Sequence, residues 1–197
     1  MKKPFTNRFR RWINRRIPRS DLQTFSQKNI FILPTGAGLV FGLLLVIMLL
    51  TGINYQNSLI YLSAFLLGAV FVGAMHQTHR NLSGLELTLI QPGEGFAGDD
   101  IPFRLRLKAG SDDAIAILLS CEESGLAPVH VHSGEAQDVT LPVHSAHRGY
   151  LRPERVRIET RFPFGLLKAW SWLRPVSAGV VFPRPIAAPE AFSTVAD

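Results

Sequence analysis

The sequence predicts a membrane α-hairpin of two transmembrane helices followed by an all-β, immunoglobulin-like sandwich. Three observations predict it. No Asp, Glu, Lys or Arg occurs from residue 29 to residue 79. Two apolar runs within that stretch flank a short polar turn. From Gly84 onward the hydrophobic period changes to two, the signature of half-buried strands.

The first run, 36–53, reads GAGLVFGLLLVIMLLTGI and contains eleven Leu, Val, Ile and Phe residues. At roughly −0.3 to −0.6 kcal/mol each near the bilayer centre, these favour insertion by several kcal/mol. With its flank it supplies the ~20 apolar residues a span needs, and the first transmembrane helix is expected over 34–53. The second run, LIYLSAFLLGAVFVGAM, places the second span over 59–76. Between them Asn54-Tyr55-Gln56-Asn57-Ser58 forms the outer turn (54–58), too short to hold a domain. Two core helices of a soluble protein are the competing reading, but the rest of the chain is too small to bury both on all sides. A cleaved signal peptide is disfavoured by the long basic region and by the second span that follows at once.

Charge orients the hairpin. Lys2, Lys3, Arg8, Arg10, Arg11, Arg15, Arg16, Arg19 and Lys28 precede the spans against the single acid Asp21, a net +8 in a chain of net +6. Everything from Arg80 onward therefore sums to −2. A basic N-terminus stays on the cytoplasmic side. The second span returns the chain there, so both termini of this multi-pass protein are expected in the cytoplasm. Within the arm (1–28), Phe5, Phe9, Trp12, Ile13 and Ile17 fall on one stripe of a helix, with Arg8, Arg10, Arg11, Arg15 and Arg16 around it. Pro4 suits the first turn and Pro18 ends it. Such a helix lies in the headgroup layer, so the bilayer is the expected partner. Nucleic-acid binding competes for any Arg-rich run; the nearby span and the aromatic stripe favour lipid, and no nucleic-acid partner is expected.

Gly38 with Gly42, Ala64 with Gly68, and Ala69 with Gly73 are small-xxx-small pairs. They permit close packing within the hairpin, or in a homodimer.

The soluble domain is expected over 84–185, with a tail over 186–197. Leu85, Leu87 and Leu89 alternate with polar neighbours. So do Ile101, Phe103, Leu105 and Leu107, and so do Val156, Ile158 and Thr160. Further strands are expected near 114–121, 128–132, 138–143, 166–173 and 178–183. Cys121, the one cysteine, reads as a small buried hydrophobe. Phosphate-binding glycine loops, nucleophile elbows and zinc-type Cys pairs are absent, so no cofactor is expected. Histidine is the one feature that carries alternative chemistry. His130 and His132 share a strand face, and His144 and His147 follow at a spacing of three. Four such residues bind zinc or copper if the strands bring them together; surface histidines are the plainer reading.

Several blocks resemble one bacterial family. They are Leu33-Pro34-Thr35-Gly36-Ala37-Gly38, Asn54-Tyr55-Gln56-Asn57-Ser58-Leu59, Thr78-His79-Arg80-Asn81-Leu82-Ser83-Gly84-Leu85, Arg148-Gly149-Tyr150, Thr160-Arg161-Phe162-Pro163-Phe164-Gly165-Leu166 with Trp170, and Val181-Phe182-Pro183-Arg184-Pro185. In order and spacing they resemble the MoxR-associated membrane proteins carrying domain of unknown function 58. Gly149 is expected to adopt an unusual φ before a strand. Phe162-Pro163-Phe164-Gly165 is expected to be a bend between strands, with both rings in the core. Gly149, Phe162, Pro163, Phe164, Gly165 and Trp170 thus read as a fold signature. Members of that family usually continue into a domain similar to von Willebrand factor A, with a Gly-Asp, Arg and Trp signature. This chain ends at Asp197 and looks like the hairpin and β-domain alone, whether short, split or truncated.

The resemblance implies a non-enzymatic scaffold in the bacterial inner membrane. Its implied partners are a MoxR-type AAA+ ATPase and a von Willebrand factor A-like protein, and its implied role is complex assembly or envelope maintenance. The alternatives are a histidine-based metal sensor or hydrolase and an inactive remnant of a longer protein. Arg152, Arg155, Arg157 and Arg161 form a basic stretch for an acidic partner or, more simply, a solvated strand face.

Overall fold

A computed structural model describes residues 19–26, 29–121, 124–126 and 128–185. The arm stripe of Phe5, Phe9, Trp12 and Ile13 with Arg8, Arg11, Arg15 and Arg16, and the tail over 186–197, lie outside the described residues.

Helix α1 (Gly36–Tyr55) and helix α2 (Ser58–Leu82) pack as an antiparallel pair. Their 20 and 25 residues correspond to about 30 and 37 Å at 1.5 Å per residue. Both are long and apolar enough to cross a membrane, and only 11 % of each apolar window is buried, unlike a core helix. The turn is tighter than the expected 54–58, because Asn54 and Tyr55 remain helical. Gln56 takes the left-handed conformation (φ 49°) with its N–H bonded to Gly52 O, and the Asn57 side chain caps α2 at Leu59 N. Phe41 stacks on Phe71 at 5.9 Å between the helices. Gly52 admits Ile60 and Tyr61, and Ala64 is buried in the hairpin. Ala69 and Gly73 face outward, and a Cβ at Gly42, Gly68 or Gly73 would meet nothing within 4 Å.

The remainder is predominantly β. One antiparallel sheet runs in the order β1 (Leu22–Thr24), β3 (Glu86–Gln91), β5 (Asp100–Lys108) and β9 (Ala136–His144). A second is ordered β2 (Phe31–Pro34), β12 (Leu167–Leu173), β11 (Val156–Thr160), β6 (Ala114–Cys121) and β7 (Ser124–Gly125), with β8 (Val129–Val131) also paired to β6. A small third sheet joins β10 (Gly149–Leu151), β13 (Gly179–Phe182) and β4 (Glu94–Phe96), with β13 and β4 parallel. Alternation decides the inner faces. Ile101, Phe103, Leu105 and Leu107 point into the core from β5, while Arg104, Arg106 and Lys108 stay exposed. Ile117, Leu119, Ile158, Ala169 and Leu173 meet them from the second sheet, and Cys121 is buried beside them.

The β-domain is larger than the expected 84–185. Asp21 and the strands β1 and β2 precede the first span, yet β1 pairs with β3 and β2 with β12. Residues 22–24 are therefore not part of a separate arm. Phe25 inserts into the core at 1 % exposure, which explains why this segment folds onto the sandwich. The second helix is also longer than the expected 59–76, because its last turns are held by polar side chains against the sheets.

Candidate functional site at the hairpin junction

Both helices meet the β-domain through buried or half-buried polar bonds, and three of the sequence blocks converge there. Strand β6 carries a bulge between Ala114 and Ile117, with Ala116 at φ 53°. A bulge leaves backbone groups without a ladder partner. Asn81, near the end of α2, supplies the missing partners. Its Nδ2 donates to Ile115 O (2.7 Å) and to Thr160 Oγ1 (2.8 Å), and its Oδ1 accepts from Ile115 N (2.8 Å). One turn earlier, Thr78 Oγ1 lies 2.7 Å from Phe162 O and 2.8 Å from Ala74 O. Thr78, Asn81 and Leu82 are all buried.

The loop 161–166 joins β11 to β12 and reaches α1 as well. Thr35 caps α1 by accepting from Gly38 N, while its hydroxyl donates to Gly165 O at 2.6 Å. Its backbone N donates to Leu166 O at 2.9 Å. Gly38 lies against that same carbonyl: a Cβ would overlap Leu166 O and stand 2.9 Å from its carbonyl carbon. Gly38 therefore serves contact with the β-domain, not the helix–helix face that its spacing to Gly42 predicts. The loop is a bend between strands as expected, and Gly165 has φ 69°. The expectation that both rings enter the core is corrected. Phe162 is half-buried and Phe164 is 64 % exposed, because the loop crosses between the helix ends and not over the sheets.

On either side of this loop lies a cleft. One, about 420 Å³, is lined by His76, Gln77, Arg80, Asn81, Asp112 and Phe162 among others, with Arg80 paired to Asp112 at 2.6 Å. The other, about 460 Å³, lies between the start of α1 and the outer face of the second sheet. There Glu159, with only 12 % of its side chain exposed, is bonded by Arg157 (2.9 Å), Arg161 (3.1 Å) and Lys168 (3.4 Å). Trp170 stands beside them, 5.7 Å from the Arg157 guanidinium and 5.8 Å from Lys168 Nζ, and Phe31 stacks on its ring. Three cations offset the desolvation of one carboxylate and leave a net of two positive charges.

The chain matches no family model and no curated protein sequence.

The remaining sequence candidates lie apart from the junction. Gly149 has φ 131° at the start of β10, as its turn position required. The four histidines are not brought together: among the described residues no group of three or more His, Cys, Asp or Glu can share a metal ion. His130 Nδ1 accepts from Ala116 N (3.2 Å), His132 lies 3.9 Å from Asp113, and His144 Nδ1 meets Asp100 at 3.1 Å. His147 contributes its carbonyl to Ser145 Oγ. Arg157 lies on the outer face of β11 with Glu159, as the alternation required, and Arg161 follows just past the strand end.

Sequence reasoning missed Thr35, Thr78, Asn81 and Asp21. A Thr directly before an apolar run is a helix-start signal. Two polar residues three apart at the end of an apolar helix were a signal as well. Asp21 had none. Its carboxylate accepts from Val176 N (2.7 Å), Ser177 N (3.0 Å) and Ser177 Oγ (2.6 Å), fastening the N-terminal segment to the loop after β12. Burial by itself pushes this carboxyl up, but those hydrogen bonds and the charge of Arg152 outweigh it and hold the group below its usual value.

Proposed function

We propose that this chain is a non-enzymatic, membrane-anchored interaction module. Its hairpin crosses a bacterial inner membrane, and its immunoglobulin-like sandwich is a docking platform at the cytoplasmic face. One observation carries the reading: strands from before and after the hairpin belong to the same β-domain, and both helix ends are bonded to one loop of it. A domain fixed to two spans has a set height and orientation over the bilayer, which suits presentation of a surface to a partner. An even number of crossings returns the chain to the side it left, and the +8 arm favours the cytoplasm for that side.

The strand order supports the finer fold. β3-β5-β9 over β12-β11-β6 corresponds to strands A, B and E over G, F and C of an immunoglobulin-type sandwich. The use made of buried polar groups supports a non-catalytic role. Thr78, Asn81, Ser145, Glu159, Thr160 and Ser171 all bond to structural partners within the fold. The resemblance of the sequence blocks to the MoxR-associated proteins carrying domain of unknown function 58 suggests the partners: a MoxR-type AAA+ ATPase and a von Willebrand factor A-like protein. The process proposed is complex assembly or envelope maintenance.

The test is affinity isolation of the full chain from native membranes in mild detergent, with bound proteins identified by mass spectrometry. Recovery of an AAA+ ATPase or a von Willebrand factor A-like chain, lost when the β-domain's exposed loops are substituted, supports the module. Isolation of folded, abundant protein without a specific companion refutes it. Protease protection of tags at each terminus tests the orientation separately.

A further inference from the structure

The cleft at the start of α1 has a composition that the scaffold role does not require. Arg157, Arg161 and Lys168 line it together with Trp170, Leu33 and Gly36. Arg161 is 57 % exposed, and Glu159 engages only part of its guanidinium. A guanidinium carries five N–H donors, and an ammonium three, so donors remain after Glu159 is satisfied. Arg and Lys beside an aromatic face suit a phosphate group, which takes forked or point-charge contacts.

Position selects the source of that phosphate. The 20 residues of α1 span about 30 Å, the thickness of the hydrocarbon core. Gly36 is the first of them, so a cleft lined by Gly36 lies in the headgroup layer. Leu33, which lines the cleft, and Phe164, next to the Gly165 that Thr35 bonds, are 57 % and 64 % exposed and offer apolar surface. Amphipathic Trp and long cationic side chains favour that layer.

We propose that this cleft is a binding site for the headgroup of an anionic phospholipid. Arg161 and Lys168 contact the phosphate, Trp170 forms the wall behind it, and Leu33 and Phe164 lie along the first acyl carbons. Glu159 bonds all three cations and holds Arg161 and Lys168 in place, while Arg157 balances its charge. The site rests on the reading that the hairpin spans a membrane, and its test is arranged to fail separately from that reading.

The experiment places the full chain in nanodiscs of mixed phosphatidylglycerol and phosphatidylcholine and counts retained lipids by native mass spectrometry. The wild type retains phosphatidylglycerol in preference. Arg161→Gln with Lys168→Gln leaves Arg157 against Glu159 and a neutral cleft. With each cation worth about fivefold, the pair lowers the preference about twenty-fivefold. Arg104→Gln with Lys108→Gln removes the same charge from the exposed face of β5 and leaves the preference intact. Arg161→Gln alone, at a well-exposed position, gives about a fivefold loss and serves if the double variant fails to fold. Equal retention of the two lipids, no change in the Arg161 variants, or the same loss in the β5 control overturns the site. Displacement of the lipid by inorganic phosphate alone also overturns it, in favour of a soluble anion. Alkaline carbonate release of the wild-type chain from membranes would instead sink the spanning reading itself.

Discussion

Replacing Gly38 by Ala tests the junction with a single methyl group. The new Cβ would overlap Leu166 O and stand 2.9 Å from the Leu166 carbonyl carbon, so helix and loop must separate. That carbonyl accepts from Thr35 N at 2.9 Å and lies 3.0 Å from Thr35 Oγ1. Loss of one of these hydrogen bonds, worth about 1 kcal/mol, added to an overpacking cost of about 1–3 kcal/mol, gives a destabilisation of about 2–4 kcal/mol. For a chain of this size that corresponds to a fall of about 4–16 °C in Tm. Gly42→Ala is the control. It lies one turn further along the same helix with nothing within 4 Å of its Cβ, and Ala is the better helix former. The assay is thermal unfolding of the full chain in detergent micelles, with hydrogen exchange at the Thr35 and Gly38 amides as a local readout. If Gly38→Ala and Gly42→Ala melt together and exchange alike, the contact between α1 and the loop does not hold the domain in place.

Three further outcomes follow from other bonds. Asn81→Ala leaves Ile115 N without its partner and Ile115 O with only the 3.3 Å bond from Thr160 Oγ1; one unsatisfied group at about 1–3 kcal/mol and one lost hydrogen bond at about 1 kcal/mol give an expected loss of about 2–4 kcal/mol, with faster exchange at Ile115, whereas Asp112→Asn, which breaks the exposed pair with Arg80, leaves the Tm unchanged. Asp21 has a depressed folded pKa, so its contribution is fully present above the unfolded value of about 3.9 and is lost as pH falls through the folded value. The Tm gap between wild type and Asp21→Asn is therefore constant near neutral pH and closes in acid; a gap that widens in acid contradicts the assignment. Cys121, 1 % exposed, resists maleimide in the native chain and reacts on unfolding, read by mass shift; rapid native labelling would contradict its place in the core.

The sequence alone determined the elements whose signal is local. Two charge-free apolar runs demand helices, because a backbone in hydrocarbon must satisfy its own hydrogen bonds. Alternation such as Ile101, Phe103, Leu105 and Leu107 demands strands with one buried face, and the strand expected over 114–121 is found as Ala114–Cys121. Gly149 was legible because a positive φ excludes most other residues.

Tertiary structure decided everything that depends on pairing at a distance. Leu22–Thr24 and Phe31–Pro34 are too short to announce themselves as strands. They become strands because β3 and β12 offer open edges and the core accepts Phe25. Asn81 was one polar residue at a helix end until the bulge in β6 left Ile115 in need of partners 34 positions away in sequence. Gly38 read as a helix-packing glycine because its spacing to Gly42 fits that pattern. Only the fold shows that the surface it meets is a carbonyl in a loop far along the chain. Spacing reports what a residue permits, whereas the partner it meets depends on chain segments that local sequence does not specify.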